Sequence, residues 1–152
     1  MRVSAKTDYA IRAALELAAA VDERPVKGER IATAQAIPLR FLENILMQLR
    51  HAGLVESRRG AEGGYRLARA PSEVTLADVI RAIDGPLAGV SGARPETLGF
   101  TGVAEPMKDV WIAVRASLRS VLEQITLADV VGRELPEHVR EMLGDEDAWV
   151  SH

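Results

Sequence analysis

Between residues 39 and 51 the chain reads LRFLENILMQLRH, and its apolar positions Leu42, Ile45, Leu46 and Leu49 fall at i, i+3, i+4 and i+7. That spacing places one apolar stripe along a helix and obliges it to dock on a core. The opposite side carries Arg40, Glu43, Asn44 and Met47 and points outward. Upstream, Lys27 to Ala36 predicts a shorter helix with Ile31 and Ala32 inward. Ile37-Pro38 forms the turn, because proline withholds the next backbone donor, and Pro38 then opens the second helix. His51-Ala52-Gly53 closes that helix on a left-handed glycine. Leu54 to Ser57 and Gly64 to Leu67 follow as short antiparallel strands around a loop, Arg58 to Gly63. Gly60, Gly63 and Gly64 let that loop take positive φ and approach a backbone closely.

Weaker periodicity flanks this block. Ser4 or Thr7 caps a first helix that runs to about Val21, with Ile11, Leu15 and Ala18 on its buried stripe. The pentapeptide TLADV occurs twice, at Thr75 and at Thr126, each time as a capping box that starts a short helix. From Asp84 to Pro106 glycines and prolines remove all periodicity. Met107, Trp111, Val114, Leu118, Val121 and Ile125 then recur at spacings of four and three, widened by Val110 and Leu122, as the seam of a helix of about 19 residues. Such a helix, hung from a small domain by a loop, suits a dimer strut better than core for its own subunit. ELPEHVREML predicts a last loose helix begun at Pro136, followed by an acidic, frayed tail. The expected organisation is residues 1–83, a winged helix-turn-helix domain; 84–106, an irregular loop; 107–132, the dimerisation helix and a short helix after it; and 133–152, the acidic tail. The fold class is therefore mainly α, with a small β-hairpin wing and a long C-terminal dimerisation helix.

Composition narrows the chemistry. Of 152 residues 47% are hydrophobic but only 4% aromatic, so the core is aliphatic. The chain has no cysteine, which excludes disulfides, thiolate zinc and Cys-ligated iron-sulfur clusters, and no cofactor is expected. No apolar run of transmembrane length and no secretory leader are visible, so no membrane partner and a cytoplasmic location are expected. The net charge of -3 conceals a division between the halves. Residues 1–70 hold twelve Lys and Arg against eight Asp and Glu, while residues 71–152 hold seven against fourteen. A basic first half suits a polyanion and an acidic second half suits a part kept away from it.

The outward face of the second helix holds the side chains that recognise base edges in a major groove: Arg40 for guanine, Asn44 for adenine, Glu43 for the cytosine amino group. The hairpin tip adds Arg58 and Arg59 for a phosphate or a narrow minor groove. A polar helix face is more often simply solvated. Here helix, proline turn, amphipathic helix and Gly-rich basic hairpin stand in the order a winged helix-turn-helix requires. Glu96 and Glu105 in the irregular loop are two separated carboxylates and do not make a metal site. His51, His138 and His152 are scattered, and no phosphate-cradling glycine motif or nucleophile triad occurs, so no enzyme is expected.

At MRVSAKTDYAIRAALELA, IPLRFLENILMQLRHAGLV, SRRGAEGGYRLAR, VTLADVIRAIDGPL and VLEQITLADV, over roughly residues 1 to 132, the chain resembles the Rrf-two group of bacterial transcription regulators, with its IscR, NsrR and CymR branches. The resemblance implies a homodimeric regulator on a pseudo-palindromic stretch of double-stranded DNA. It implies DNA contacts from Arg2, Lys6, Arg40, Phe41, Glu43, Asn44, Arg58, Arg59, Gly60 and Tyr65, and a dimer seam of Met107, Trp111, Val114, Leu118, Val121, Leu122 and Ile125. The branches that carry an iron-sulfur cluster hold its cysteines in the stretch corresponding to 84–106. Asp8 matches a cluster ligand of the NsrR branch, but without cysteines it is only a first-turn carboxylate favoured by the helix dipole. The implied protein is a cluster-free repressor that answers to a small-molecule effector, between the loop and the long helix near Trp111, or to a partner protein, as the CymR branch answers to a cysteine synthase. The alternative is an adaptor that uses the winged helix and the loop to hold a partner enzyme.

Overall fold

The structure, a computed structural model, describes residues 3–20, 22 and 24–151. Helix α1 (Ala5–Ala18) begins where the Ser4 hydroxyl accepts the Thr7 N–H at 3.1 Å, so Ser4 is the cap. Thr7 lies inside the helix instead, 1% exposed, with its hydroxyl donating to the Asp84 carboxylate. The helix stops at Ala18, short of the expected end. Its buried side also differs from expectation. Ala10, Ala13, Ala14 and Leu17 face the core, while Ile11, Leu15 and Ala18 pack on its flank half-covered. The reason is steric: α1 lies against several neighbours at once, and methyl side chains permit the close approach that Ile or Leu would prevent.

Helix α2 (Gly28–Gln35) buries Ile31 completely. Ala36, expected as its last residue, is instead a left-handed cap at φ 51°, with the Ile37 N–H donating to the Ala32 carbonyl at 2.9 Å. Helix α3 (Leu39–His51) follows directly with Pro38 in its N-cap position. Leu42, Ile45, Leu46 and Leu49 are all 0% exposed, as the spacing requires. Gly53 at φ 73° reverses the chain, and the Leu54 N–H returns to the Leu49 carbonyl at 2.9 Å.

Strands β1 (Val55–Arg58) and β2 (Gly64–Leu67) form an antiparallel hairpin in the register Val55↔Leu67 to Arg58↔Gly64. Arg58, expected in the loop, is thus the last residue of β1, because the ladder runs one residue further toward the tip. Val26 adds a bridge on the other edge of β2, exchanging both backbone hydrogen bonds with Tyr65 at 2.7 and 2.8 Å. Gly64 at φ 151° makes this possible: a Cβ there would stand 2.6 Å from the Val26 carbonyl oxygen.

Helices α4 (Leu76–Asp84) and α6 (Leu127–Gly132) carry the two TLADV boxes, and both form. The Asp78 N–H reaches the Thr75 hydroxyl at 3.1 Å and the Asp78 carboxylate accepts the Thr75 N–H at 3.0 Å; Thr126 and Asp129 repeat this at 3.1 and 2.7 Å. The two boxes also lie side by side. Thr75 pairs antiparallel with Thr126, with the Leu76 N–H on the Ile125 carbonyl at 3.0 Å and the Leu127 N–H on the Val74 carbonyl at 2.9 Å. Val74, Val79 and Leu127, all 0% exposed, join Ile31 and the α3 leucines in one core.

Between them α5 (Met107–Leu122) runs for 16 residues and buries none of its side chains. Met107, Trp111, Val114, Leu118, Val121 and Leu122 are half-covered. Ile125 is a correction: it lies beyond the helix and is 6% exposed within its own chain, leaving no surface to offer a partner. The preceding loop is packed rather than structureless. Leu87 and Pro95 are buried, and 3-10 turns form at Pro95–Thr97 and Gly102–Ala104. Helix α7 (Glu137–Leu143) starts after Pro136, and the tail, expected to be frayed, closes in a 3-10 turn, Glu146–Trp149, whose Trp149 indole N–H donates to the Leu143 carbonyl at 2.9 Å.

Candidate nucleic-acid interface

Burial of one side of α3 dictates what the other side presents. Arg40, Phe41, Glu43, Asn44 and Met47 are all exposed, and at 100° per residue Arg40, Asn44, Met47 and His51 form one line down the helix. Glu43 flanks that line one turn below Arg40. The Asn44 carbonyl oxygen accepts from the Gln48 amide at 3.0 Å, which steadies its rotamer and leaves its own two N–H groups available as donors. Gln48 was not among the expected site residues; its place one turn after Asn44 was the available signal.

Phe41 is less free than its neighbours. It is 49% exposed, and its ring meets Tyr9 of α1 edge-on at a centroid distance of 6.0 Å. The Arg12 guanidinium lies 4.9 Å over the same Tyr9 ring and pairs with Asp8 at 2.8 Å. Asp8 is therefore occupied by an i,i+4 ion pair, which accounts for it without a metal. Lys6, half-buried, stands on α1 one turn before Tyr9, the residue that meets Phe41. Arg2 falls outside the described residues.

The wing flanks the other end of α3. Arg50, in the last turn of the helix, donates to the Ser57 hydroxyl at 3.2 Å and so ties helix to hairpin. Arg58, Arg59 and Gly60 are exposed at the tip, which is drawn tight by the Gly63 N–H bond to the Gly60 carbonyl at 3.0 Å. A Cβ on Gly63 would fall 2.3 Å from the Arg58 carbonyl oxygen, so only glycine allows the turn to close and hold both arginines outward. Lower on the wing Arg66 and Glu56, cross-strand partners, neutralise each other at 2.8 Å. Tyr65 is placed differently from the tip residues. Its half-buried ring lies over Gly28 at the start of α2, so it props the wing against the body.

Basic side chains thus stand on α1, along α3 and at the wing tip, with a carboxylate and a carboxamide on α3. This arrangement offers guanidinium forks and an acceptor to base edges and scattered positive charge to phosphates.

Known proteins resemble this chain over most of its length. A family model described as Rrf2, iron-dependent transcriptional regulator, matches residues 3–133. An HTH-type transcriptional regulator of Mycobacterium tuberculosis is 52% identical over 145 residues, covering 95% of this chain and 90% of the relative. The HTH-type transcriptional regulator CymR of Bacillus subtilis is 36% identical over 131 residues, 86% of this chain and 89% of CymR. Among solved structures, that of CymR, the global cysteine regulator of B. subtilis, superposes with a TM-score of 0.74 at 34% identity over 88% of this chain and 98% of its own. That of T. potens IscR gives 0.69 at 34% identity, over 100% and 93%.

The family description names iron, and the residues here do not fit an iron-sulfur centre. This chain has no cysteine, the Glu96 carboxylate in the corresponding loop is tied to Arg115, and among the described residues no three His, Asp or Glu side chains converge. Nor is any helix among the described residues long and apolar enough to cross a membrane. The chain is a winged-helix protein of the Rrf2 family, whose members are DNA-binding transcriptional regulators and not enzymes.

Proposed function

We propose that the protein is a homodimeric, sequence-specific repressor that carries no iron-sulfur cluster and is switched by a small ligand or a partner protein. The observation that carries the dimer is the helix α5, which is amphipathic over 16 residues and has no buried side chain in its own chain. Two copies joined along Met107, Trp111, Val114, Leu118, Val121 and Leu122 set two α3 helices about 34 to 36 Å apart, one turn of a duplex, on a pseudo-palindrome. In each half-site Arg40 and Glu43 read bases and Asn44, steadied by Gln48, assists. Arg59 enters the minor groove, with Gly60 giving it close approach, while Arg2, Lys6 and Arg58 hold phosphates. Phe41 positions α3 against α1 through Tyr9 and meets the sugar edge with its open face, and Tyr65 sets the wing angle. Occupying successive grooves excludes other proteins from that segment, which is how such a dimer represses.

The test begins with selection of bound duplexes from a random pool, followed by anisotropy titrations of the winning sequence at several salt concentrations. With three or four phosphates neutralised per subunit, log affinity against log salt has a slope of about -5 to -7. A slope near zero, or a selected site without two-fold character, defeats the proposal. Glu43→Ala relaxes base preference at one position, whereas Arg59→Ala weakens every sequence alike.

A further inference from the structure

Arg81 of α4, Arg94 of the loop, and Arg115 and Arg119 of α5 converge on a single open cavity of about 420 Å³, with the Gly85-Pro86-Leu87 turn as its floor. The half of the chain from residue 71 onward has only seven basic residues against fourteen acidic ones, so four of the seven meet at one concavity. Two carboxylates answer them. Glu96 pairs with Arg115, and Glu123 is shared between Arg81 and Arg119, the latter at 2.9 Å. Arg94 makes no direct side-chain hydrogen bond or close ion pair among the described residues and acts on Glu96 only at longer range. Four guanidinium groups against two carboxylates leave two positive charges uncompensated around a cavity of metabolite size. Hydrogen bonds lower both acids, Glu96 through its own backbone and Arg115, Glu123 through Arg81 and Arg119, so both stay ionised and the surplus is two rather than more. Trp111, near which an effector was expected, does not line this space, which lies one turn further along α5.

We propose that this cavity binds a small organic anion carrying at least two negative charges, a phosphorylated or polycarboxylic metabolite, gripped by Arg94 of the loop and by Arg115 and Arg119 of α5, with Arg81 of α4 completing the site. Planar guanidinium forks match carboxylate and phosphate oxygens pairwise, and Arg115 exchanges Glu96 for the ligand. Its walls come from α4, which packs on the recognition body, and from α5, so occupancy sets the angle between them. That consequence for DNA rests on the ligand-responsive dimer proposed above; the binding itself does not.

Calorimetry on the DNA-free full chain, with pyrophosphate and with citrate as probes at fixed ionic strength, tests it. Saturable binding of at least one probe at one site per chain is expected. Arg94→Ala weakens it tenfold or more, and Glu96→Gln, by releasing Arg115, tightens it several-fold. A purely structural Arg115–Glu96 pair predicts no tightening in Glu96→Gln, and that result overturns the proposal. So does an equal loss in Lys108→Ala, which removes a positive charge of the same half outside the cavity, or no saturable binding of either probe. Anion binding in a protein that grips no duplex overturns the regulator and keeps the cavity; the converse does the opposite.

Discussion

Helices α3 and α5 are both amphipathic, of 13 and 16 residues, yet their apolar sides meet opposite fates. Every stripe residue of α3 is fully buried, between α1, α2, α4 and the first strand of the wing. In α5 none is. The difference teaches that periodicity states only a demand for burial; whether the chain supplies the partner depends on what else folds around it. Helix α3 has its demand met locally, so its polar side is free for another molecule. Helix α5 keeps part of its apolar side in water, with Val110 46% exposed and the preceding Val103 fully so, the face that the proposed second copy would cover.

The comparison breaks most visibly at Leu118. Leu118→Asp on α5 is expected to leave the circular dichroism of the chain intact, shift sedimentation to a single copy and cost operator affinity about 100-fold or more, the avidity of two linked half-sites. An unchanged oligomer would remove the strut. Next in size is the matching change in α3: Leu46→Ala leaves a cavity in a closed core and should cost about 2 to 5 kcal/mol in urea unfolding, with no direct effect on subunit association. On the exposed side of α3, Arg40→Ala should cost about 1 to 3 kcal/mol of discrimination at one base pair without changing the unfolding midpoint. Arg59→Ala should reduce the salt slope by about one unit per subunit, read from anisotropy titrations.

The smallest effect is in acid. Glu123, held below the ordinary carboxylate range by hydrogen bonds from Arg81 and Arg119, is more acidic folded than unfolded. Its contribution is therefore present above the unfolded value and lost as pH falls through the lower folded one. Unfolding midpoints of the native chain and Glu123→Gln should differ at neutral pH and converge once the folded carboxyl is protonated. A gap that widens in acid would contradict the assignment. The pair lies at the protein surface within reach of solvent screening, so the gap is small.

These contrasts also explain what the letters reveal. The stripe Leu42, Ile45, Leu46, Leu49 was legible because one helix held it all, and the Gly53 cap and the two capping boxes because each is local. In α1 the large aliphatics suggested the wrong side: Ile11 and Leu15 outrank alanine in hydropathy, but crowding, which a linear pattern does not carry, chose Ala10, Ala13 and Ala14. Ile125 matched a seven-residue spacing that the backbone had already left at Leu122. The TLADV repeat was legible only as two separate caps, since the hydrogen bonds that join its copies span some fifty positions. The arginine cavity was invisible for the same reason, its side chains coming from two helices and a loop. The residues of the DNA face were legible as an inventory, while the braces Gln48→Asn44 and Arg50→Ser57 that aim them were not.

The clasp between Thr75 and Thr126 has a mechanical consequence. It pins the rear of α5 to the body just past Leu122 and the Arg81–Glu123 pair braces the same half, while Arg115 is tied to Glu96 of the glycine- and proline-rich loop that leads into the front half. From Arg115 forward to Met107 is an arm of about 12 Å at 1.5 Å per residue. A tilt of about 10° at that fulcrum would swing its tip by about 2 Å, and in the proposed dimer a two-fold axis would double the relative displacement between copies. If two copies join as proposed, one strut tethered at its heel would alter the reach of two reading heads.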